Sequence, residues 1–246
     1  MARCWLADGR CGRIRKLCPS GKCVARQVSR LHDARWRDKL GLFFVEGEDA
    51  VAAARADPVE LLRAGKEVEP RLLAGVASAP HPPRVIGIYR RDDLPGWHER
   101  PVALALWRLA DPGNVGALIR TADAFGAAVR LSDGCADPLS PKALRASAGS
   151  IWRVPLGQWP ADGDDGALRV ALEAHRGEPL SSLDLSGPVV FLLGAERAGL
   201  PPEVARDVDA HIEIDGADSL NVAASGAIAL YEWRRRRSDG TTASSR

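Results

Sequence analysis

From position 101 onward, short runs of aliphatic and branched residues alternate with longer stretches whose apolar positions recur every three or four residues. That pattern predicts a strand over 101–109, a helix over 114–125 opened by the turn Asp111-Pro112-Gly113 and closed by Gly126, and a strand over 128–131. It continues with a helix over 141–148, a strand over 151–156, a helix over 166–175 and a strand over 188–193. A helix over 201–208, a strand over 211–214 and a last helix over 219–237 complete it. Strands and helices alternating at this length predict an α/β fold, with a mainly parallel sheet and helices on both faces.

The first hundred residues are less regular. A basic helix over 24–40 leads to the strand 41–47 and an alanine-rich helix near 48–56. Residues 57–83 read as short strands and loops, ending in a strand over 85–89. These elements form a small α/β module over 24–95, joined to the regular domain 101–237 by a linker of prolines, glycine and charges within 91–101. Residues 1–23 read as a disordered, dispensable basic leader and 238–246 as a disordered tail.

Charge changes this picture at one end. Residues 1–40 carry eleven Arg or Lys against three Asp, a net +8, although the whole chain is only +2. Such a patch meets phosphate or is merely a solvated tail, and Arg26, Arg30 and Arg35 are its candidate RNA contacts. Aromatic content of 5% argues against a broad stacking platform. Four of the five cysteines lie in the first 23 residues at spacings without a C-x2-C pair, so neither a zinc site nor a disulfide framework is predicted. No apolar run approaches the roughly 18 residues of a membrane span, which places the protein in the cytosol.

In a parallel sheet, ligands gather at the carboxyl ends of the strands. Three loops there carry glycine together with polar side chains: Asp111 to Gly116, Leu193 to Leu200, and Ile214 to Val222. None is G-x-G-x-x-G, and no G-x-x-x-x-G-K-[ST] occurs, so hydride transfer and nucleotide hydrolysis lose support. Singly, each loop has a plain structural explanation. Asn114 and Ser219 suit helix N-caps, Glu196 a solvated loop, and Arg120 a pairing with Asp123.

Together the loops resemble the three signature motifs of the SpoU/TrmH family of RNA 2′-O-ribose methyltransferases. Asn114, Gly116, Arg120, Thr121 and Ala122 match the first motif, and Leu193 to Leu200 the second. Ser219-Leu220-Asn221-Val222, leading into Ala227 to Glu232, resembles the third, although the usual Pro-Met after Ile214 is missing. Lys142 to Gly149 is similar to a stretch of rRNA-directed members and adds Lys142 and Arg145 as RNA contacts.

The resemblance implies a C-terminal deep trefoil knot, a homodimer whose partner helps complete the site, and S-adenosylmethionine as cofactor. By the same resemblance Leu193, Gly194, Ile214 and Leu220 hold the cofactor, and Asn114, Arg120, Glu196, Ser219 and Asn221 form the catalytic set. Arginine rarely gives up its proton, so Arg120 is read as a clamp on the ribose or its phosphate. The substrate is a structured RNA, with rRNA favoured and tRNA, or a non-catalytic RNA-binding role, as the alternatives. The tract Arg234 to Arg237 either touches RNA or complements the end of the last helix.

Overall fold

The basic stretch predicted as one helix forms two, α1 (Lys22–Leu31) and α2 (Ala34–Leu40). Asp33 interrupts them: its backbone is extended, and its side chain accepts the Arg35 N–H at 2.9 Å as the N-cap of α2. The buried Arg37 guanidinium donates to the carbonyls of Leu31 and His32, at 2.7 and 2.9 Å, which meets the unpaired end of α1. Gly41, at φ 61°, closes α2 in the left-handed conformation. The computed structural model describes residues 22–78, 81–159, 166–204, 206–213 and 219–243.

Three antiparallel strands follow, β1 (Leu42–Glu46), β2 (Glu60–Arg63) and β3 (Val85–Arg90), with β3 in the middle. Two short helices, α3 (Glu48–Ala52) and α4 (Pro70–Ala74), lie between the strands in sequence. The period of two divides the side chains: Leu42, Phe44, Ile86 and Ile88 share a core with Val24, Val28 and Leu31 of α1.

Among the described residues a second unit holds seven strands, all parallel. In chain order its elements begin with β4 (Val102–Leu106), α5 (Pro112–Phe125) and β5 (Ala128–Leu131). After α6 (Pro141–Ser147), which packs elsewhere, come β6 (Leu156–Gln158), β7 (Leu168–Leu172), β8 (Glu178–Pro179), β9 (Val189–Leu193), β10 (Val208–His211) and α7 (Val222–Ala243). The sheet order is β6-β5-β4-β9-β7-β10-β8, so the fold is the α/β arrangement with a parallel sheet flanked by helices. α5 and α7 pack on each other, and Gly226 permits it: a Cβ there would stand 2.4 Å from Leu118 and 3.5 Å from Leu193. The opposite sheet face carries Ala103, Ala105, Ala171, Val190 and Leu192, covered by Leu200 and Val204.

Several predicted elements differ. Residues 166–175 favour helix by composition, yet Leu168–Leu172 forms the interior strand β7, because a slot between β9 and β10 pairs its backbone and buries Val170 and Ala171. Pro201 to Val204 is a turn, and the strand expected at 211–214 begins earlier, at Val208. In place of a strand from 151, Ser150–Trp152 is a 3-10 turn and β6 starts at Leu156. The last helix starts at Val222, since Asn221 and not Ser219 caps it, and it continues to Ala243 through most of the expected tail.

The segment Leu139–Trp152 was assigned by sequence to the second domain, but it packs with the first unit. Trp152 is the reason: its ring lies 5.5 Å from Phe43 and 4.9 Å from Tyr89, on the sheet face that α1 leaves uncovered. The leader through residue 21, with Cys4, Cys11 and Cys18, lies outside the described residues. Among the described residues no helix is long and apolar enough to cross a membrane.

Candidate active site

Strands β4 and β9 lie side by side in parallel, with Leu106 opposite Leu193 at their carboxyl ends. From there the chain turns in opposite directions, toward β5 after one and toward β10 after the other. Loops that diverge at such a point leave a crevice between them.

The loop after β4 is shaped by Asp111, whose carboxylate accepts the Gly113 N–H at 2.8 Å and caps α5, with Pro112 in the first helical position. Asn114 is thereby released from capping. The loop after β9 is a tight turn in which Ala195 and Gly199 exchange backbone hydrogen bonds of 3.2 and 2.8 Å. Gly194 permits it, because a Cβ there would fall 2.2 Å from the carbonyl carbon of Gly199.

Glu196, at the tip of that turn, links the two loops. Its carboxylate accepts the Asn114 side-chain amide at 3.1 Å and the N–H groups of Ala110 and Asp111 at 3.3 Å each. Burial works against the charged form, but these donors and the residue's own N–H outweigh it and hold the carboxyl below its ordinary value. Asn221 completes the chain: its amide donates to Asn114 Oδ1 at 3.2 Å while its Oδ1 accepts Ala223 N–H at 2.9 Å, capping α7. One carboxylate and two amides therefore tie all three signature loops into one site.

Beside this cluster lies a cavity of about 530 Å³, within the range of small-ligand sites. Leu172, Leu193, Ile212 and Leu220 give it apolar walls, Gly194 to Gly199 a backbone rim, and Ser219 and Asn221 a polar edge. Of the predicted cofactor residues, Leu193, Gly194 and Leu220 line the cavity, whereas Ile214 lies outside the described residues. Leu172 and Glu173 were missed by the sequence reading because their segment was read as helix; their place at the carboxyl end of β7 is what marks them.

Residues 101–231 match the SpoU rRNA Methylase family. The chain belongs to that family. An uncharacterized tRNA/rRNA methyltransferase of Synechocystis sp. is 29% identical over 87% of this chain and 91% of its own length. The 23S rRNA (guanosine(2553)-2′-O)-methyltransferase RlmP of Bacillus subtilis is also 29% identical, over 83% of this chain and 93% of its own. Among solved structures, an AdoMet-bound rRNA methyltransferase from Sinorhizobium meliloti has a TM-score of 0.73 at 29% identity, covering 87% of this chain and 94% of that one. The SpoU methyltransferase AviRb of Streptomyces viridochromogenes, in complex with AdoMet, has a TM-score of 0.71 at 25% identity, covering 87% and 97%.

Of the predicted catalytic set, Arg120 stands apart from the cluster and the cavity. It is exposed on α5, about 9 Å along the axis from Asn114 at 1.5 Å per residue, and has no hydrogen bond or ion pair among the described residues. The predicted alternative, pairing with Asp123, is not formed: Asp123 binds Arg153, with Nε at 2.8 Å from Oδ2.

In the first unit, Arg26 is exposed on α1, Arg30 lies 4.7 Å from the Trp36 ring, and Arg35 pairs with Asp33 at 2.7 Å. Lys142 is exposed at the start of α6, and Arg145 pairs with Glu46 at 3.1 Å and also bonds the Ser78 hydroxyl. The C-terminal basic tract is used internally. Arg235 and Arg236 bind Glu232 at 2.8 and 2.7 Å, Arg236 also donates to the carbonyls of Ser181 and Leu183, and Arg237 donates to Ser186 O at 3.0 Å.

Proposed function

We propose that this chain transfers the methyl group of S-adenosylmethionine to a ribose 2′-hydroxyl of ribosomal RNA. The observation that carries the reading is the Glu196 carboxylate joining the loops after β4 and β9 on the rim of the cavity. The cavity fits such a cofactor: apolar walls at Leu172, Leu193 and Ile212 suit an adenine ring, and polar groups at Ser219 and Asn221 suit its ribose and amino-acid ends. Relatives named rRNA 2′-O-methyltransferases, and neighbours solved with AdoMet, support the same choice.

When bound, the cofactor would supply an activated methyl whose S–C bond breaks to leave a neutral thioether, while the ribose hydroxyl proton passes to solvent, so the residues have mainly to align the reacting groups. Leu193, Gly194 and Leu220 hold it, and Glu196 fixes the rim through Asn114, leaving Asn221 and Ser219 to orient the reacting groups. Arg120 clamps the ribose or its phosphate and stabilises the developing alkoxide.

Arg120 acts from a second copy of the chain in this reading. Its guanidinium faces solvent, and on neighbouring α7 the positions Ala224, Ile228 and Tyr231 form a stripe at helical spacing, with Tyr231 60% exposed. A homodimer formed on this surface brings each Arg120 to the partner's cavity. The C-terminal loops close in a deep trefoil knot, and the protein works in the cytosol.

The test is methyl transfer by the purified chain from radiolabelled cofactor to ribosomal RNA and to tRNA, followed by nuclease digestion. A label on ribosomal RNA in a 2′-O-methyl nucleoside is expected. A label on a base overturns the reaction, and a label on tRNA alone overturns the substrate.

A further inference from the structure

Arg108 holds a backbone conformation that arginine seldom adopts. Its φ is 51°, in the left-handed region where a Cβ crowds the carbonyl that follows. The surroundings keep it there. Its N–H donates to Ser132 Oγ at 2.9 Å, the preceding Trp107 N–H donates to Leu193 O at 2.8 Å, and Ala110 N–H, two residues on, donates to Glu196. The side chain lies along Gly134, where an added Cβ would come within 3.3 Å of Arg108 Nε.

Glycine or asparagine would make the same turn with less crowding, so the turn itself does not call for arginine. The guanidinium is exposed and has no hydrogen bond or ion pair among the described residues. Arg153, Arg169 and Arg206 of the same unit are each paired with a carboxylate. Arg120, and Arg197 on the cavity rim beside Glu196, are likewise exposed and without such a partner among the described residues. A cation held at a fixed point on strained backbone, next to the loop that Glu196 anchors, is arranged to meet an anion from outside.

We propose that Arg108 is a substrate-binding residue, which grips a phosphate of the RNA strand beside the target ribose. The proposal rests on the methyltransferase reading above. A phosphate contact here sets the register of the strand without reading its sequence.

The test compares the wild-type full chain with Arg108→Gly and Arg108→Lys on a ribosomal RNA fragment that the wild type methylates. Arg108→Gly keeps the turn and relieves its crowding, so its melting temperature is expected to equal or exceed the wild type, with unchanged cofactor affinity. Its KM for RNA is expected to rise about tenfold, and the slope of log affinity against log salt to fall by about one. Arg108→Lys is expected to retain most of that slope. Wild-type KM and salt slope in the glycine variant would overturn the assignment, as would a lowered melting temperature with lost cofactor binding, which makes the residue structural. A wild-type chain that binds cofactor but methylates no RNA removes the functional reading and this proposal together; a glycine variant equal to an active wild type removes this proposal alone.

Discussion

Asn114 and Glu196, 82 residues apart in sequence, meet through an amide-to-carboxylate hydrogen bond of 3.1 Å. The contact converts two independent turns into one rim, because the same carboxylate also holds the N–H groups of Ala110 and Asp111.

Replacing Glu196 with alanine strands three donors at once. Each net bond contributes about 1 kcal/mol, so the rim loosens although the sheet below is intact. Methyl transfer is expected to fall by about two orders of magnitude, with a smaller loss of cofactor affinity; single-turnover assays and calorimetry separate the two.

Gly194→Ala puts a methyl group 2.2 Å from the Gly199 carbonyl carbon. The turn has to move, and the cavity rim moves with it. Cofactor affinity is expected to drop at least tenfold by calorimetry, and an unchanged affinity would remove Gly194 from the pocket.

Arg120→Ala touches no internal contact among the described residues, so folding and cofactor affinity should stay within a few-fold of wild type while methyl transfer is lost. Mixing it with Gly194→Ala tests where the arginine acts. If Arg120 serves the partner's cavity, heterodimers regain one competent site per pair; without regain, each chain supplies its own.

Arg145→Ala and Lys142→Ala should behave differently despite their shared prediction as RNA contacts. The Glu46 side chain is only 3% exposed, so removing its guanidinium partner leaves a buried carboxylate and should lower the melting temperature. Lys142, exposed at the start of α6, is tested instead by the salt dependence of RNA binding, which Lys142→Ala should reduce by about one unit of slope.

Glu67 gives an acid-stability test. Its hydrogen bonds with Arg63 hold the carboxyl at about 2, below the ordinary 4.5, against the opposing effect of burial. The folded pKa is the lower one, so this stabilisation is present above pH 4.5 and is lost as pH falls toward 2. Arg63 is 45% exposed, so solvent screening keeps the contribution small. In acid titrations of unfolding, Glu67→Gln should flatten this part of the curve.

The places where a ligand could gather were legible in the chain alone. The glycine-bearing loops after β4 and β9 are marked by polar residues beside glycine at strand ends, whereas the choice of Asn114, Glu196 and Asn221 as site residues came from the resemblance of the three loops to the SpoU/TrmH motifs. Strand alternation likewise gave the parallel sheet, since periods of 2 and 3.6 are properties of neighbouring residues. What neighbours cannot encode had to come from the tertiary structure. Leu168–Leu172 became a strand because an interior slot outweighed helix propensity, and Leu139–Trp152 joined the first unit because Phe43 and Tyr89 offered Trp152 an apolar face. The choice of Asn221 as helix cap and of Glu196 as the link between loops depends on hydrogen bonds that form only after distant segments have been brought together.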